Sequence, residues 1–125
     1  MTSGMLRKQT VLLVEDDAML RSILAEALAA EGLAVLTAEN GEEALTIAST
    51  LEGRLGLVVT DVLLPVMDGL ELAAHLACLT PPPAVLFISG ITTHRDVPGP
   101  VLNKPFGPSA FLEQVARLLP LVEHQ

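Results

Sequence analysis

Carboxylates, a hydroxyl and an ammonium group stand at the ends of successive apolar runs in this 125-residue chain. Glu15, Asp16 and Asp17 follow Thr10–Val14, and Asp61 follows Leu57–Thr60. Ser89 follows Ala84–Ile88, and Lys104 follows Val101–Asn103. Alone, Asp61 reads as a nucleophile, a metal ligand or a cap on the turn that Pro65 and Asp68-Gly69 signal. Gathered on one edge, the carboxylates would repel, each pair by about 4 kcal/mol at ~4 Å and an effective dielectric near 20. A hard divalent cation relieves that repulsion, and all-oxygen donors suit Mg2+ or Mn2+. A carboxylate beside such a cation, a lysine and a hydroxyl is an arrangement for phosphoryl transfer. The carboxylate attacks phosphorus, the positive groups neutralise the equatorial oxygens, and the hydroxyl hydrogen-bonds one of them. Aspartyl phosphates are established covalent intermediates.

Strands and helices must bring these groups to one edge. Thr10–Val14 is a buried strand, and Asp17 is assigned to the N-cap of the helix after it rather than to a ligand set. Leu20, Ile23, Leu24, Ala27 and Leu28 follow helical spacing, and Gly32 stops that helix. Leu33–Ala38 is a second strand. Asn40 and Glu43 have capping-box spacing, and Ala44, Ile47, Ala48 and Leu51 form the next stripe. Leu57–Thr60 is the third strand, and Leu70–Leu79 a helix stopped by Pro81-Pro82-Pro83. Ala84–Ile88 and Val101–Asn103 are strands four and five. Pro108 opens the last helix, whose apolar face is Phe111, Leu112, Val115, Leu118 and Leu119, with Pro120 closing it. This alternation predicts an α/β fold, a parallel sheet with helices on both faces, whose strand ends share one edge. Residues 1–9 are expected to be a flexible N-terminus, and 10–122 one domain.

Composition narrows the function classes. Half the residues are hydrophobic, so the chain can build a core. A net charge of -8, with no Tyr or Trp, argues against nucleic-acid binding. No apolar run reaches the ~18 residues of a membrane span, and no signal-peptide pattern is visible. The single cysteine, Cys78, fits a reducing compartment, so a cytoplasmic location is expected. Cys78 itself is read as a buried small hydrophobe, and Met19 as a packing residue. His75, His94 and His124 show no ligand spacing and read as surface histidines.

With Val14-Glu15-Asp16-Asp17, Asp61 with Leu64-Pro65 and Met67-Asp68-Gly69, Ser89-Gly90 and Lys104-Pro105-Phe106 in order, the chain resembles the receiver domains of two-component response regulators. The resemblance runs from about Thr10 to Leu119. It implies a flavodoxin-like, doubly wound five-stranded parallel sheet in the order 2-1-3-4-5, of the single-domain type. It also implies Asp61 as phosphoacceptor, with Ser89 and Lys104 contacting the phosphoryl group. Asp16 would hold Mg2+ directly, Glu15 through water, and the Leu63 backbone carbonyl would be a further ligand. The Lys104-Pro105 peptide is expected to be cis. The donor would be a histidine kinase or a histidine phosphotransfer protein.

Two features depart from the family pattern. Val101 stands where the family carries its switch aromatic, three residues before the lysine. The stretch between Ser89 and Lys104 is short, and Phe87-Ile88-Ser89-Gly90-Ile91-Thr92 resembles the motif of a single-domain subfamily with an altered fourth helix. Only 89–99 link strands four and five, so the helix between them is expected to be missing or about one turn. A dimer face built on that helix would be incomplete, and a monomer is expected. Donor docking is expected on the first helix and the loops around Asp61, with Met19, Arg21 and Ser22 as contacts and Leu20 and Ile23 as core.

Three other functions compete. A haloacid-dehalogenase-type hydrolase would carry Asp-x-Asp after its first strand, whereas Asp61 precedes Val62-Leu63 on the third. A pseudo-receiver would only bind partners. The chain could also be the detached receiver of a hybrid histidine kinase.

Overall fold

A computed structural model describes residues 10–90 and 96–119. The elements run β1 Thr10–Val14, α1 Ala18–Ala30, β2 Ala34–Ala38, α2 Gly41–Thr50, β3 Leu57–Asp61, α3 Gly69–Leu76, β4 Ala84–Ser89, β5 Val101–Asn103 and α4 Pro108–Leu118. The strands form one parallel sheet in the order β2-β1-β3-β4-β5. This is the expected doubly wound order.

Strand alternation sorts the core into two layers. Val11 and Leu13 of β1, Leu57 and Val59 of β3, and Leu86 and Ile88 of β4 pack with Leu24 and Leu28 of α1 and Phe111 and Val115 of α4. Leu12, Val14 and Val58 face the other way, against Ala44 and Ala48 of α2 and Leu72 and Leu76 of α3. Burial on both faces explains why β1 and β3 read as unbroken apolar runs.

The helix ends follow the sequence signals. Asp17 accepts from the amides of Met19 and Leu20, Asn40 from Glu43, and Asp68 from Glu71. Gly32, at φ 84°, closes α1 with bonds from its own amide to the Ala29 carbonyl and from Leu33 to Leu28.

Several side-chain expectations are corrected. Ile23 is 50% exposed rather than core. The Leu20, Leu24 and Leu28 row, one turn apart, meets the sheet, and Ile23 lies one step round the helix. Met19 is 74% exposed rather than a packing residue. Cys78 is exposed, because α3 ends at Leu76 with Ala77 as its cap and Cys78 falls in the turn beyond. Residues 1–9, His94, His124 and Pro120 lie outside the described residues. Among the described residues no helix lies between β4 and β5, and 91–95 of that segment lie outside them. No helix among the described residues is long and apolar enough to cross a membrane.

Candidate functional site

The sheet register builds the site. The last β1–β3 pair is Val14 with Thr60, so one further step sets Glu15 beside Asp61. Both continue the alternation of the α1–α4 face, Glu15 after Val11 and Leu13, and Asp61 after Leu57 and Val59. Asp61 pairs with Ile88, which puts Ser89 one step further along β4. Ser89 in turn pairs with Asn103, and the Lys104 amide donates to the Ser89 carbonyl at 2.8 Å. Asp61, Ser89 and Lys104 therefore occupy successive strand ends.

Glu15 and Asp61 are only 1% and 5% exposed, whereas Asp16 is exposed. One oxygen from each of the three lies within 4.8 Å of the others. The Lys104 ammonium stands 3.4 Å from Asp61 Oδ1 and 3.8 Å from Glu15 Oε1. The acids thus have a basic neighbour, which the sequence did not place against Glu15. Lys104-Pro105 is cis, as the resemblance implied, and so is Thr80-Pro81.

Two buried carboxylates side by side resist double ionisation. Burial pushes the Glu15 carboxyl from 4.5 up to about 8, with the neighbouring Asp61 adding to the rise and the Asp17 amide and Lys104 opposing it. Burial also raises Asp61, against the opposing pull of Glu15 and Lys104.

The remaining polar contacts hold the acidic turn in place. Glu15 Oε2 accepts from the Asp17 amide at 3.0 Å, and the Glu15 amide donates to the Ala38 carbonyl of β2 at 3.1 Å. Glu15 Oε1 and Asp61 Oδ1 are buried, and among the described residues they meet the Lys104 ammonium rather than an amide or hydroxyl donor. One ammonium facing three clustered carboxylates leaves negative charge uncompensated, which a divalent cation would neutralise. Hard oxygen donors of this kind fit Mg2+.

The Ser89 hydroxyl is buried and donates to the Gly90 carbonyl at 3.2 Å rather than to a carboxylate of the cluster. Leu63 lies in the β3–α3 loop with its side chain exposed. In that loop the Met67 amide donates to the Pro65 carbonyl at 2.8 Å across Val66, whose φ is 71°. This is a γ-turn with a positive central φ, rare for any residue and strained for a β-branched one. Arg21, expected as a docking contact, is half-buried, and its guanidinium donates to the Glu15 carbonyl at 2.7 Å.

A family model for the response regulator receiver domain matches residues 11–116. The response regulator receiver protein CpdR of Brucella abortus is 32% identical over 116 residues, which are 87% of this chain and 95% of that one. The sensor kinase CckA of the same organism is 36% identical over 117 residues, 88% of this chain, but the match spans only 12% of that protein. The crystal structure of the receiver domain from the hybrid histidine kinase CckA superposes with a TM-score of 0.79 at 36% identity, covering 89% of this chain and 99% of that one. The receiver domain of Ssk1 from Saccharomyces cerevisiae, in co-crystals with the histidine phosphotransfer protein Ypd1, gives a TM-score of 0.77 at 25% identity, covering 89% and 88%.

Proposed function

The chain belongs to the response regulator receiver domain family of two-component signalling, and we propose that it takes a phosphoryl group from a phosphohistidine onto Asp61. The carrying observation is the buried pair Glu15 and Asp61, grouped with Asp16 and facing the Lys104 ammonium at the strand ends. An Asp61 oxygen attacks phosphorus, the P–N bond breaks, and the electron pair leaves on the imidazole nitrogen of the donor. Glu15, Asp16, Asp61 and the Leu63 carbonyl would hold Mg2+ (or Mn2+), which when bound supplies charge neutralisation at the phosphoryl oxygens. Lys104 neutralises a further oxygen, and Ser89 exchanges its bond to Gly90 for one to the phosphoryl group. The donor is a histidine kinase or histidine phosphotransfer protein. The Ypd1–Ssk1 pair supports that class of donor, and the exposed apolar side chains Met19 and Ile23 on α1, and Leu63 and Val66 beside Asp61, offer it a surface. We place the protein in the cytoplasm, as a signalling phosphoacceptor rather than a turnover enzyme.

Acetyl phosphate with Mg2+ tests this. Intact-mass measurement should show one phosphoryl group added to the wild type and none to Asp61→Asn. Equal uptake by both proteins would defeat the assignment. A second reading, in which the chain is the receiver portion of a hybrid kinase, is favoured by its 36% identity to CckA. It predicts the same chemistry at Asp61.

A further inference from the structure

The Arg21 side chain holds the peptide that leads into Asp16. It donates to the carbonyl of Glu15, the residue before Asp16, at 2.7 Å. The Arg21 amide donates to the carbonyl of Asp17, the residue after, at 2.9 Å. The other ties of this turn attach to Glu15 and Asp17. Glu15 reaches β2 through Ala38, the Glu15 carboxylate accepts from the Asp17 amide, and Asp17 caps α1. The direction of Asp16, the exposed member of the acidic cluster, is set by its two flanking peptides: the Arg21 side chain holds the one before it through the Glu15 carbonyl, and the Glu15 carboxylate holds the one after it through the Asp17 amide. A charge-assisted bond of this length is among the stronger ones available to a carbonyl.

We propose that Arg21 is a positioning residue for divalent-cation binding, holding Asp16 toward Glu15 and Asp61. This rests on the phosphoacceptor reading above. Losing an outer partner that orients a ligand typically weakens metal binding by about tenfold or more.

The test is calorimetric titration of the unphosphorylated full chain with Mg2+, alongside uptake from acetyl phosphate at varied Mg2+. Arg21→Met should raise the Mg2+ dissociation constant by about tenfold. It should raise the half-saturating Mg2+ for uptake in proportion and leave the rate at saturating Mg2+ nearly unchanged. Arg21→Lys, which keeps a donor, should recover most of the affinity. Arg21→Gln, polar but shorter, should behave as Arg21→Met and serves if the methionine variant does not fold. Unchanged Mg2+ affinity in Arg21→Met or Arg21→Gln would overturn the inference and leave the phosphoacceptor reading standing. So would a fall in the saturated rate alone, or a lysine variant as weak as the methionine one. A wild type that binds no Mg2+ and takes up no phosphoryl would overturn both.

Discussion

Gly69 stands against the backbone of Asp61 with no space for a side chain. A Cβ at position 69 would overlap the Asp61 carbonyl oxygen and crowd its carbonyl carbon. The Gly69 amide also donates to the Val62 carbonyl at 2.7 Å, closing the β3–α3 loop on the strand end. The obstruction is backbone, which cannot rotate away. Gly69→Ala should therefore cost about 1–3 kcal/mol in urea unfolding, and it should slow phosphoryl uptake by displacing Asp61. Wild-type stability and uptake in this variant would contradict the tight approach.

Stability should fall as pH rises in the metal-free protein. The folded Glu15 carboxyl titrates near 8 against 4.5 ordinarily, so the native state binds the extra proton between those values. Unfolding then becomes progressively easier from about pH 4.5 to about pH 8. Mg2+ should reverse the trend, because it takes the ionised carboxylates. A hundredfold excess over its dissociation constant adds about 2.7 kcal/mol. Thermal melting across pH, with and without Mg2+, reads both effects. Glu15→Gln should flatten the metal-free profile, and an unaltered slope in that variant would assign the effect elsewhere.

Met19 and Ile23 share the exposed side of α1. Replacing both with serine should slow transfer from a phosphohistidine protein by roughly tenfold, the equivalent of about 1.4 kcal/mol of lost contact. Uptake from acetyl phosphate should not change. A matching loss with the small donor would mean that the site, not the docking surface, had been altered.

Val66 holds φ 71° with 79% of its surface exposed, so its side chain contributes little packing to offset the backbone strain. Val66→Gly relieves the strain and gives back part of the gain as chain entropy in the unfolded state. The expected net is a stabilisation of about 1 kcal/mol by urea unfolding. A destabilised variant would show that the turn is not strained as described.

The polar groups at the strand ends and their order along the chain were legible in the sequence because both are local. Apolar runs ending in Glu15-Asp16-Asp17, Asp61, Ser89 and Lys104 mark strand ends, and parallel strands share one such edge. Asp17, Asn40 and Gly32 act through their own neighbours, so their capping roles needed no tertiary information. Burial and pairing were not local. Helical spacing outlined a stripe on α1 but not its centre, and only contact with the sheet decided that Leu24 is buried and Ile23 exposed. Glu15 and Asp16 are adjacent acids in the sequence. Strand alternation turns Glu15 inward beside Asp61 and leaves Asp16 at the surface, which separates their electrostatics. The pairing of Lys104 with Glu15 spans most of the chain, and only the assembled sheet sets it. Arg21 read as a surface contact because its spacing puts it off the apolar stripe. Its actual partner is a backbone carbonyl, which no side-chain pattern records.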